Sequence, residues 1–93
     1  MKEKILERKL AQAVKAMGGI ALKFMSPSYY GMPDRLVLIK VGRLAFVEVK
    51  RDGEHPSPLQ EKRHGMLRRL GFKVYVLDRP EQIPQILEEI TNG

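Results

Sequence analysis

An α/β fold, a small mixed β-sheet flanked by helices in αβββαβα order, follows from three observations on the sequence. The apolar period is helical at both ends of the chain. It switches to two between Asp34 and Lys50. A further helical stretch then separates that block from a last short apolar run, FKVYVL. Ninety-three residues hold one core, so residues 1–93 are expected to fold as a single domain.

In the first segment Leu6, Leu10, Ala13, Val14 and Met17 recur at helical spacing, and Gly18-Gly19 stops the helix. Residues 20–25, IALKFM, form a short apolar strand, and SPSYYGMP reads as an irregular loop. Residues 34–39 and 43–50 alternate as strands on either side of Lys40-Val41-Gly42, a hairpin connection. RDGEHPSP forms a second loop. Ser57 then serves as N-cap, with Pro58 at the first helical position and Gln60 three residues on. This helix runs to about Leu70, with Leu59, the stem of Arg63, Met66, Leu67 and Leu70 predicted toward the core and Gly71 ending it. A strand over 73–77 follows. Pro80 opens the last helix, with Ile83, Ile86, Leu87 and Ile90 on one face. The link from 43–50 to 73–77 is long enough for a parallel crossover.

Seventeen Lys+Arg against 11 Asp+Glu leave a net charge of +6, which points to an anionic partner, most simply nucleic acid. With 43% hydrophobic residues the chain is not a disordered basic tail. It has no cysteine, which removes disulfides, a Cys-ligated zinc and a thiol nucleophile. No apolar stretch approaches a membrane span, and the opening MKEKILERK carries charge where a signal peptide needs apolar residues, so a soluble, cytoplasmic protein is expected. Neither GxGxxG nor GxxxxGK occurs, so no nucleotide cofactor is expected.

The hairpin carries the chemistry. A three-residue loop with Gly42 in the left-handed position pairs Ile39 with Arg43, Leu38 with Leu44 and Leu36 with Phe46. Continued one pair of positions further, it sets Asp34 opposite Glu48 on the same face, with Lys50 two residues beyond. Two carboxylates opposed across a ladder repel. A divalent cation offsets that repulsion, and oxygen ligands suit Mg²⁺, which takes one or two carboxylates and leaves room for water and phosphate oxygens. Lys50 adds a cation for charge developing on phosphorus. Metal, water and amine are the requirements of phosphodiester hydrolysis. The competing plain reading is an ion pair of Lys50 with Glu48 or Asp34.

Gly31-Met32-Pro33-Asp34, thirteen intervening residues and Glu48-Val49-Lys50 resemble the PD-(D/E)XK nuclease signature. With Glu7, Gly18-Gly19, Lys23, FVEVK, Ser57-Pro58-Leu59-Gln60 and GFKVYVLD in order, the chain is similar over almost its whole length to small stand-alone VRR-NUC domains. The resemblance implies a restriction-endonuclease-like core. It also implies that Asp34, Glu48 and the Val49 carbonyl ligate Mg²⁺ (Mn²⁺ substituting), that Lys50 is the catalytic lysine, that Glu7 reaches the metal from the first helix, and that Gln60 completes the site. Glu3, four residues before Glu7 on the same side, is its rival but sits where a helix end frays. Lys23, Ser26, Tyr30, Arg35, Arg51 and Arg63 are the candidate DNA contacts, with Tyr29 and Tyr30 suited to stacking on bases. His55 and His64 lack HxxxH spacing, so a histidine-based nuclease is not expected. The implied activity is a Mg²⁺-dependent DNA endonuclease, a homodimer acting on branched DNA such as Holliday junctions. The alternatives are a catalytically silent DNA-binding module and a small interaction protein.

Overall fold

The computed structural model describes residues 1–93. Helix α1 (Glu3–Ala16) is followed by β1 (Ile20–Lys23), β2 (Arg35–Ile39), β3 (Arg43–Val49), α2 (Pro58–Arg69) and β4 (Lys73–Leu77). A single 3₁₀ turn over Pro80–Gln82 leads into α3 (Ile83–Asn92). The strands lie in the order β1-β2-β3-β4, the first two pairings antiparallel and β3/β4 parallel across the α2 crossover.

The hairpin has the register that Gly42 implies: Ile39 opposes Arg43, Leu38 opposes Leu44 and Leu36 opposes Phe46. Gly42 has φ 68°, and Val41 shares that left-handed conformation at φ 68°. Val41 was not expected there, because a β-branched residue resists positive φ. The first three strands are slightly shorter than the sequence suggests, and β4 has the expected bounds. β1 stops at Lys23, although Phe24 N–H still donates to the Asp34 carbonyl (2.9 Å), so the backbone of Asp34 is tied to the neighbouring strand.

Period-two alternation divides the sheet between two layers. Val37, Ile39, Ala45, Val47 and Val49 face α1 and α3, packing with Leu6, Leu10, Val14, Ile83, Ile86, Leu87 and Ile90 in the main core. Phe46 faces the other way, toward Leu67 of α2, with Val74 and the partly buried Phe24, Met32, Leu36, Leu44 and Met66. Rings of Phe24 and Phe72 meet the Phe46 ring edge-on at 5.7 and 5.9 Å. This second layer is thin because α2 packs mainly over β4.

Helix α2 corrects the sequence-based expectation. Its buried residues are His64 and Leu67, whereas Leu59 and Leu70 are 41% and 67% exposed. The helix is rotated away from its apolar residues because the sheet face beneath it is not uniformly apolar. Glu48 lies on that face, and His64 is the side chain that meets it. Arg63, assigned to the core by its stem, instead reaches sideways to the loop before β2. The Ser57 cap forms as expected: Ser57 Oγ accepts from Gln60 N–H (3.2 Å) and Gln60 Oε1 accepts from Ser57 N–H (2.9 Å).

Candidate active site

Asp34 stands one residue before β2, and Glu48 occupies the penultimate position of β3, so the pair sits where the β2/β3 ladder ends. Asp34 Oδ1 accepts a hydrogen bond from Val49 N–H at 3.1 Å, which draws its carboxylate across to β3 beside Glu48. Pro33, buried, fixes the approach to this position. Lys50 follows directly, with its N–H donating to the Leu77 carbonyl of β4 (2.9 Å) and its ammonium near enough to Glu48 to favour that carboxylate's charge.

The electrostatics are those of two acids held together against their repulsion. Burial pushes the Glu48 carboxyl up to about 7, and the neighbouring Asp34 charge adds to the rise while Lys50 opposes it. Asp34 is raised too, mainly by burial and further by Glu7, against the opposing effect of the Val49 hydrogen bond. Glu48 is only 3% exposed. Its Oε1 lies 3.3 Å from Nε2 of His64, itself 1% exposed and kept toward its neutral form by burial and by Arg68. His64 is the site residue that the sequence reading set aside. The signal for it was present: an acid in an apolar strand needs a polar partner, and His64 falls one helical turn after Gln60.

Helix α1 brings both of its N-terminal acids to this edge of the sheet. Glu7 is paired with the Arg35 guanidinium, and its charge reaches Asp34. Glu3 bears on Glu48. The structure thus joins two residues that the sequence reading had assigned separately, Glu7 to the metal and Arg35 to DNA, and it keeps Glu3 beside the site. Gln60 holds its side-chain oxygen on the Ser57 N–H.

The candidate DNA contacts fall into two groups. Lys23, Arg35 and Arg51 line an open cleft of about 1060 Å³ together with Lys2, Lys4 and Arg8, the acids Glu3, Glu7 and Asp52 among them. Ser26 and Tyr30 line a smaller hollow with Phe24, Met25, Tyr29 and Met32. Arg63 braces that second group: its Nε donates to the Tyr30 carbonyl (2.8 Å), and its guanidinium lies 4.4 Å from the centre of the Tyr29 ring. Tyr30 remains 74% exposed.

No three acidic or imidazole side chains form a closed metal cage. Magnesium does not need one, because it binds through one or two carboxylates and keeps several waters. The donor set fits that ion: hard oxygens, mutual repulsion that a cation relieves, and a second Glu48 oxygen that carries no hydrogen bond.

Two paired acids at the end of an antiparallel hairpin, a lysine beside them and a parallel crossover behind them are the arrangement expected of a nuclease of the PD-(D/E)XK type. Known proteins agree. The chain is 46% identical over 78 residues to “Putative nuclease p44” of Acyrthosiphon pisum secondary endosymbiont phage 1, covering 84% of each protein. A solved structure described as a VRR_NUC domain superposes with a TM-score of 0.87 at 31% identity, covering 92% of this chain and 94% of that one. No family model matches the sequence. The chain belongs to the VRR-NUC family of nucleases.

Proposed function

We propose that this nuclease is a Mg²⁺-dependent DNA endonuclease that acts as a homodimer on branched DNA, four-way junctions foremost. The observation that carries the reading is the pairing of Asp34 with Glu48: one is drawn to the other's strand by the Val49 N–H, and the Glu48 carboxyl is raised to about 7 with Lys50 alongside. Asp34, Glu48 and the Val49 carbonyl would hold the ion, with Glu7 contributing once released from Arg35. When bound, Mg²⁺ (or Mn²⁺) supplies Lewis-acid activation of the phosphodiester and lowers the cost of ionising a water.

The chain's own residues carry the rest. The Lys50 ammonium orients the attacking water and offsets the charge that builds on the phosphoryl oxygens. The cations of the cleft, Lys23, Arg35 and Arg51, receive backbone phosphates. The Tyr30 ring, exposed on a loop braced by Arg63, offers a stacking surface of the kind that unpaired bases at a junction take.

A second copy is supported by the α2 side of the sheet. Ile20 and Leu22 oppose Leu38 and Leu36, on the face that carries Phe46, and they are 51% and 39% exposed. Covering this strip with the same strip of a second chain would add core to a small domain and supply two symmetric sites for the two strands of a junction.

Incubation with a four-way junction, a flap and plain duplex, each in Mg²⁺, Mn²⁺ or EDTA, tests the reading. Cleavage of the junction in either metal and none in EDTA is the expected result. Tight binding with no cleavage of any substrate would favour a silent DNA-binding module. A sedimentation mass near 10.7 kDa, that of one chain, would remove the dimer.

A further inference from the structure

The mechanism above makes no use of His64, a buried imidazole on the inner face of α2. Its position is over-determined. The Ser57–Gln60 capping box fixes the first turn of the helix, Arg63 ties the next turn to the Tyr30 carbonyl, and Leu67 anchors the third in the apolar cluster with Phe46. Its hydrogen-bonding side-chain partner is Glu48, at 3.3 Å from Nε2 to Oε1. An ionised carboxylate has only acceptors, so the imidazole meets it with Nε2–H. That leaves Oε2 of Glu48 as the oxygen without a hydrogen bond, on a buried carboxyl whose neighbours are the charges of Asp34 and Lys50.

We propose that His64 is a positioning residue for the metal site: by donating Nε2–H to Oε1 it holds the Glu48 carboxylate in one rotamer and presents Oε2 to the cation. The proposal rests on the metal-dependent reading above. Ligating carboxylates held by an outer hydrogen bond keep their geometry before the ion arrives, and loss of such a partner typically weakens metal binding about 10–100-fold. Its consequence for the fold is that α2 is part of the metal site without supplying a ligand. The loop over 51–57 and the tyrosine-bearing loop, both joined to α2, are thereby mechanically linked to Glu48.

Mn²⁺ binding followed by electron paramagnetic resonance on the full chain without DNA tests this independently of cleavage. His64→Leu keeps the volume and removes the donor, and it is expected to bind Mn²⁺ about 10–100-fold more weakly than wild type. His64→Gln returns an amide N–H at the position of Nε2 and is expected to recover binding to within about threefold, a rescue that a merely packing role would not produce. Should the leucine variant fail to fold, His64→Asn, whose amide stops short of Glu48, replaces it with the same expected loss. Wild-type affinity in the donor-less variant, or a glutamine variant as weak as it, would overturn the role of His64. Wild-type protein that binds no Mn²⁺ would instead remove the metal reading and this proposal with it.

Discussion

Replacing Glu48 by Gln should stabilise the metal-free protein at alkaline pH. In the folded chain burial and the Asp34 charge raise the Glu48 carboxyl from 4.5 to about 7. A carboxyl whose folded value lies above its unfolded value favours the fold fully at pH below 4.5, and that contribution is lost as pH rises through about 7. At ~1.4 kcal/mol per pH unit the rise is worth at most about 3.5 kcal/mol, and solvent around Asp34 and Lys50 reduces it to about 1–2 kcal/mol. Gln keeps the carbonyl that accepts from His64 and never ionises. In EDTA at pH 8, Glu48→Gln should therefore melt roughly 5–10 °C above wild type, converging with it at pH 4. Thermal denaturation by circular dichroism across pH 4–8 reads this directly. A Glu48→Gln protein less stable than wild type at pH 8, or a difference that does not change with pH, would refute the electrostatic account. The same reasoning makes Mg²⁺ stabilise wild type more at pH 8 than at pH 5, because the ion binds the ionised pair.

Asp34→Asn and Lys50→Ala should each abolish cleavage while leaving binding to a four-way junction, measured by gel shift, within a few-fold of wild type; cleavage surviving in both would remove the site assignment. Tyr30→Ala should weaken junction binding by about 1–3 kcal/mol and plain duplex binding much less, checked by fluorescence anisotropy on both substrates. Arg63→Ala should act in the same direction through the loop it braces. Val41→Gly should raise stability by up to about 1 kcal/mol in chemical denaturation, since Val41 is 88% exposed and held at φ 68°.

How far the sequence could be read depended on whether a constraint was local. Gly42 determined the loop type, the loop type determined the register, and the register put Asp34 beside Glu48. The cap on α2 was legible for the same reason, because Ser57, Pro58 and Gln60 are adjacent and their bonds are with one another. Two features were not legible. The buried face of α2 followed from what lies under it, and a wheel drawn on apolar residues has no way to weigh one buried histidine opposite one buried glutamate. The Glu7–Arg35 pair joins residues 28 positions apart, one on the first helix and one on β2, and nothing in either neighbourhood announces the other. Charged residues near a site carry competing assignments until the fold says which ones touch.

The central claim is that Asp34 and Glu48 share one divalent cation. Crystals soaked in Mn²⁺ and measured near the manganese absorption edge test it without reference to activity. The account predicts an anomalous peak between the two carboxylates and within coordination distance of the Val49 carbonyl. A peak elsewhere on the chain, or none at the hairpin end at saturating Mn²⁺, would contradict it.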